Sequence, residues 1–182
     1  MDMLRMMNMR SVKVTGEEHD FVVIFWDNSR KEVTSAIYTD SASRKRFIVF
    51  VDKKYEESDT NRYKKIYPSQ TINLVCPALL SDDYTGPLQG RPNDSCWVFK
   101  AMAGRLTVYS DLVIGDISYL DPSMIIGIRL DDDPMVKFSV ENLRTMVGQN
   151  AKALELIEDK KYIKAIKRFN RDSEKARKKM WQ

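Results

Sequence analysis

Hydrophobic residues in this chain recur at two spacings, and the change from one to the other falls near Pro134. Before that proline they alternate with polar residues or gather in short runs, the habit of strands. After it they return every three or four positions, the habit of amphipathic helices. The alternation is densest over residues 96–130. Trp97, Phe99 and Ala101 fall on one side of the run and Cys96, Val98 and Lys100 on the other, Ala103-Gly104-Arg105 interrupts it, and residues 106–109 resume it. This predicts a hairpin. Residues 117–120 and 124–130 read as two further strands of the same window.

Earlier in the chain, residues 11–14 read as a short edge strand and residues 16–20 as a polar turn holding His19. Turn chemistry at Asp27-Asn28-Ser29-Arg30 then joins strands over about 21–27 and 31–38. Residues 41–45 form a loop before the apolar strand 47–51. The polar, aperiodic stretch 52–63 reads as an exposed loop. Residues 64–67 and 71–76 are extended, with Pro68 between them and Pro77 closing the second. Asp82, Asp83, Gly86, Pro87, Gly90, Pro92, Asn93 and Asp94 make 81–95 the densest turn-forming stretch, and so a mobile loop suited to contact with a partner.

Residues 135–138 are a last strand. Ser139 can cap a helix over 140–147 with Gly148 past its end, and Asn150 can cap a second in which Leu154 and Ile157 recur. A third helix begins near Lys160, with Tyr162, Ala165, Ile166 and Phe169 on one face. Beyond Phe169 its apolar face stops, so its last turns project. The whole reads as α+β: an antiparallel β-sheet of eight to ten strands, a sandwich or open barrel, with two or three C-terminal helices. Residues 1–138 form the β-rich body, and 139–182 a helical segment packed on the same domain.

Composition changes this picture little. With 43% hydrophobic and 31% charged residues the chain is globular rather than disordered. No apolar run approaches the roughly 20 residues of a membrane-spanning helix. The first ten residues, MDMLRMMNMR, carry charges where a signal peptide needs an apolar stretch, which points to the cytoplasm as the sequence stands, and to the envelope or export if a leader has been removed. Met3, Met6, Met7 and Met9 suit an apolar arm that packs on a neighbour. Cys76 and Cys96, the only cysteines, read as two buried thiols in the cytosol, a disulfide between them being the alternative outside it.

Charge is distributed unevenly. Residues 160–182 hold ten basic side chains against Asp172 and Glu174, a local +8, whereas residues 1–159 hold 20 basic and 24 acidic ones, a net −4. Lys164, Lys167, Arg168, Arg171, Lys175 and Lys178 line one helical side, with Trp181 after them. Such a face can neutralise phosphates or dock on an acidic partner. No aromatic residues interleave with the cations before Trp181, so base-specific readout is not favoured.

Catalytic constellations are scarce. His19 is the only histidine and reads as a polar turn residue, so His-dependent triads, which need one positioned imidazole, and His-rich metal sites, which need a second, are nearly excluded. Neither GxGxxG nor GxxxxGK[ST] occurs, so the usual phosphate cradles are missing. Aspartates are plentiful: Asp111, Asp116 and Asp121 bracket strand candidates, and Asp131 to Asp133 follow another. Two of them brought close could bind a hard cation or share acid and base roles, though aspartate is also a common turn residue. Trp26, Trp97 and Phe99 lie in strand-like runs and read as core.

Three groups of residues carry a resemblance. They are Arg46 to Phe50 with Lys65 to Ile72, then Trp97 to Lys100 passing through Gly104 into Leu106 to Tyr109, and last Glu141 to Arg144 through Lys161 and Tyr162 to Arg168, Phe169 and Asn170. Together they are similar to segments of small β-rich proteins of unknown function that are widespread in Bacteroidetes, many of them exported. The resemblance implies a β-rich fold with a terminal helical pair, and brings no catalytic residues.

The expectation is a non-enzymatic interaction or structural module, oligomeric, acting through sheet edges, loop 81–95 and the basic helix, with no catalytic, cofactor or metal residues assigned. Its alternatives are nucleic-acid association through the tail and a carboxylate-based, metal-dependent enzyme at Asp111, Asp116, Asp131 and Asp133.

Overall fold

The structure, a computed structural model, describes residues 12–77, 80, 81, 84, 85 and 87–180. Among them twelve strands form: β1 (Val12–Phe25), β2 (Arg30–Asp40), β3 (Arg46–Val51), β4 (Tyr63–Ile66), β5 (Thr71–Cys76), β6 (Leu80–Ser81), β7 (Tyr84–Thr85), β8 (Leu88–Pro92), β9 (Trp97–Met102), β10 (Leu106–Ser110), β11 (Ile125–Leu130) and β12 (Val136–Lys137). Three helices follow, α1 (Val140–Val147), α2 (Ala151–Glu158) and α3 (Tyr162–Met180). Ten strands make one antiparallel sheet in the order β12-β11-β10-β9-β8-β5-β1-β2-β3-β4, while β6 and β7 pair only with each other. The order ends at β12 and β4, so the α+β fold is built on an open sheet and not on a closed barrel.

Several expected elements are redrawn. Residues 12–25 form a single strand, and the polar Glu17 and Glu18 lie exposed in a register shift between Thr15, opposite Ile37, and His19, opposite Ser35. A bulge accommodates polar residues on a long hairpin, so no turn is needed there. Residues 117–120 are not a strand. Asp116 accepts the amide of Ser118 and starts a 3-10 turn at Ile117–Tyr119, and Asp121 does the same through Ser123 for Pro122–Met124. Local side-chain capping wins over the β propensity of one isoleucine. Within the expected loop 81–95, Leu88–Pro92 is an inner strand between β5 and β9, and residues 82, 83 and 86 lie outside the described residues.

The chain resolves into two compact units, residues 1–80 with 85–99, and residues 81–84 with 100–182. In the first, Phe21, Val23, Phe47, Ile48, Leu74, Trp97 and Phe99 are fully buried. Tyr38 stacks on Phe47 with ring centroids 5.5 Å apart. The Trp97 indole donates to Thr71 Oγ1 at 2.9 Å, and that hydroxyl donates to Pro68 O at 2.9 Å, so the buried polar atoms are satisfied. Gly90 is needed because a Cβ there would sit 2.5 Å from the Phe99 ring. Cys76 and Cys96 are buried thiols. Trp26 departs from expectation: it sits in the β1–β2 turn, 64% exposed, its indole donating to Ser69 O at 2.9 Å.

The second unit packs the helices on β10 and β11. Leu106, Val108 and Ile128 meet Leu143, Val147, Ala153, Ile157, Ala165, Ile166 and Phe169 in one cluster. Ser139 Oγ caps α1 by accepting from Asn142 N at 3.0 Å, and Asn150 Oδ1 caps α2 by accepting from Ala153 N at 3.0 Å. Gly148 ends α1 at φ 56, a left-handed value that glycine adopts without strain.

Candidate interaction face on the basic helix

The sequence of α3 dictates two unlike halves. Its buried residues, Ala165, Ile166 and Phe169, all lie in the first half, spaced to follow one side of the helix. Asn170 extends that anchor by gripping Leu106 on β10. From Glu174 to Met180 every residue is exposed. The helix is about 28 Å long at 1.5 Å per residue, so roughly its last third carries no packing.

At 3.6 residues per turn, Lys164, Lys167, Arg168, Arg171, Lys175, Lys178 and Lys179 fall within an arc of about 120° facing away from the buried side. Two of them are held by carboxylates. Arg168 Nε lies 2.7 Å from Asp172 Oδ2, and Lys178 Nζ lies 2.7 Å from Glu174 Oε1, each an i,i+4 pair. The hydrogen bond from Arg168 leads in holding the Asp172 carboxyl below the ordinary carboxylate range, with Asn150 contributing, and that from Lys178 does the same for Glu174. Among the described residues no carboxylate lies within salt-bridge distance of Lys164, Lys167, Arg171, Lys175 or Lys179. These five cations share one exposed side of a rigid rod. The pairs Arg168–Asp172 and Lys178–Glu174, absent from the expectation above, are signalled in the sequence by their four-residue spacing. Trp181 lies outside the described residues.

The aspartates are placed differently. Asp116 and Asp121 cap their 3-10 turns, and both carboxyls are held low mainly by those bonds: for Asp116 the Ser118 amide leads, for Asp121 the Ser123 hydroxyl. Asp131, at φ 47, pairs with Arg105, whose Nε is 3.0 Å from Oδ2. Asp133 is exposed and Asp111 half-buried. Among the described residues no three His, Cys, Asp or Glu side chains converge so as to hold a metal ion. His19 is a strand residue, half-buried, its ring 6.0 Å from Phe21 in an edge-on contact, and burial leads in pulling its pKa below the ordinary imidazole value.

Of the two sheet edges, β4 carries Lys64, bonded to Asp52 Oδ2 at 2.7 Å, and Lys65, set over the Phe47 ring at 4.7 Å. Lysines on an edge discourage the addition of a further strand. Among the described residues no helix is long and apolar enough to cross a membrane. No family model, no curated protein and no solved structure matches the chain, so the fold and this basic face define it only as an α+β protein with a cationic C-terminal helix.

Proposed function

We propose that this protein is a non-enzymatic interaction module that docks on an acidic protein surface through the basic side of α3. The single observation behind the reading is the set of five cations on one side of α3, none with a carboxylate within salt-bridge distance among the described residues, on a helix that continues past its last buried residue; Lys167 and Arg171 act on Asp116 and Asp172 only through weaker, longer-range attraction. Apart from the favourable meeting of the last-turn cations with the negative end of the helix dipole, holding like charges in register on an exposed helix gains nothing for folding. It does create complementarity for a polyanion and speeds encounter with one. A protein partner is favoured over nucleic acid because residues 1–159, with a net charge of −4, would repel a phosphate backbone. That same net charge makes a second copy of the chain one such acidic surface, consistent with self-association.

Anisotropy titrations with poly-L-glutamate and with a short DNA duplex test the reading, using the wild type and the quadruple variant Lys164→Glu, Lys167→Glu, Arg171→Glu, Lys175→Glu. Salt-sensitive binding to poly-L-glutamate, weakened about tenfold or more in the variant, is expected. Stronger binding to the duplex would transfer the assignment to nucleic acid, and equal binding by the variant would remove α3 from either role.

A further inference from the structure

The Nε of Arg129 is buried and has no hydrogen-bond partner among the described residues. Among the same residues its guanidinium forms no salt bridge. Arg62 has the same buried Nε, but its Nη1 reaches Glu57 Oε1 at 3.7 Å. Arg129 as a whole is half-buried, so it is the Nε–H and not the entire guanidinium that is buried and unsatisfied, and folded proteins keep few such donors.

The surroundings of Arg129 follow from strand register. Thr107 lies opposite Arg129, Tyr109 opposite Gly127, and Gly127 opposite Lys137. Pleating therefore puts Tyr109, Arg129 and Lys137 on one face of β10, β11 and β12, while Leu106, Val108 and Ile128 turn to the helices. Met135 lies over Gly127, where a Cβ would meet its Sδ at 2.7 Å, and is itself 45% exposed. Neither the Tyr109 hydroxyl nor the Lys137 ammonium is hydrogen-bonded or ion-paired among the described residues. The face thus combines a forked guanidinium, an ammonium and a phenol, with the thioether of Met135 beside them and no carboxylate paired to any.

We infer that Arg129, with Tyr109 and Lys137, forms an oxyanion-binding site on the face of β10–β12 turned away from the helices, taking a phosphate or carboxylate group. Guanidinium matches both in a planar two-point contact, which makes Arg129 the anchor. Lys137 adds charge at the edge and Tyr109 a neutral donor. The site is independent of the basic helix, since none of its residues lies on α3.

Calorimetric titration of the full chain with inorganic phosphate and with acetate, at fixed ionic strength in chloride, tests this. One saturable site is expected for at least one of the two anions, and the preferred anion identifies the ligand group. Arg129→Gln should weaken it about tenfold or more. The quadruple variant Lys164→Gln, Lys167→Gln, Arg171→Gln, Lys175→Gln should leave it unchanged. Arg129→Met, which keeps the stem and removes the unpaired donors, should melt in chloride at or above the wild-type temperature. No heat with either anion, equal binding by Arg129→Gln, or a marked fall in melting temperature for Arg129→Met would each overturn the assignment.

Discussion

Asn170 holds Leu106 by both of its backbone groups. The side-chain Oδ1 accepts from the amide at 2.7 Å and Nδ2 donates to the carbonyl at 2.9 Å, across 64 residues of sequence. A side-chain amide here does the work of a paired strand residue, and it fixes the middle of α3 to the start of β10. Gly104 permits the approach, since a Cβ there would meet Nδ2 at 2.2 Å. Asn170→Ala should cost about 1–3 kcal/mol for each backbone group left unsatisfied. Asn170→Asp should not rescue the loss, because its second oxygen would face the Leu106 carbonyl. Urea unfolding of the two variants and of Gly104→Ala checks this; wild-type stability in Asn170→Ala would show the bonds to be dispensable.

The pair formed by Trp97 and Thr71 makes a similar case in the first unit. Thr71→Val removes the acceptor of a fully buried indole N–H and should destabilise by about 1–3 kcal/mol, whereas Thr71→Ser keeps the hydroxyl and should cost less. Equal losses in denaturant melts of the two variants would point to the methyl group instead.

On α3, neutralising Lys164, Lys167, Arg171 and Lys175 to glutamine should leave thermal stability within about 0.5 kcal/mol of wild type, since all four are exposed and none has a carboxylate within salt-bridge distance among the described residues. Arg168→Gln should cost a few tenths of a kcal/mol, because its pair with Asp172 is only partly screened, each side chain being about a quarter exposed. A large loss from the four lysine and arginine changes would mean that the face is needed for folding.

Acid should act through Asp116, Asp121 and Asp172. All three carboxyls titrate below their ordinary value in the folded protein, so the stability they contribute is fully present above the unfolded carboxylate pKa and is lost as the pH falls through the lowered folded values. His19 acts in a higher window. Its folded pKa lies below the ordinary imidazole value of about 6.5, so the folded state is favoured with a neutral ring and loses stability as the pH drops from about that value toward the lowered one. Being the only histidine, it gives a single set of imidazole C–H signals to follow by NMR. A midpoint at or above the ordinary value would contradict the burial of its ring.

What the sequence alone determined was everything governed by neighbours a few positions away. Ser139, Gly148 and Asn150 mark the helix ends because capping needs only the amides within one turn. The hairpin at Asp27 to Arg30 and the end of burial on α3 at Phe169 were legible for the same reason. Tertiary structure decided what depends on distant partners. Trp26 and Trp97 sit in comparable apolar runs, yet one ends in a turn in solvent and the other under Thr71, because strand register and not local hydrophobicity chooses the buried face. Asp116 became a cap instead of a sheet corner, and the buried Nε of Arg129 was left without a hydrogen-bond partner among the described residues while Arg105 found Asp131. Pairing across dozens of residues is settled only when the strands register, and burial then fixes which charges stay available to other molecules.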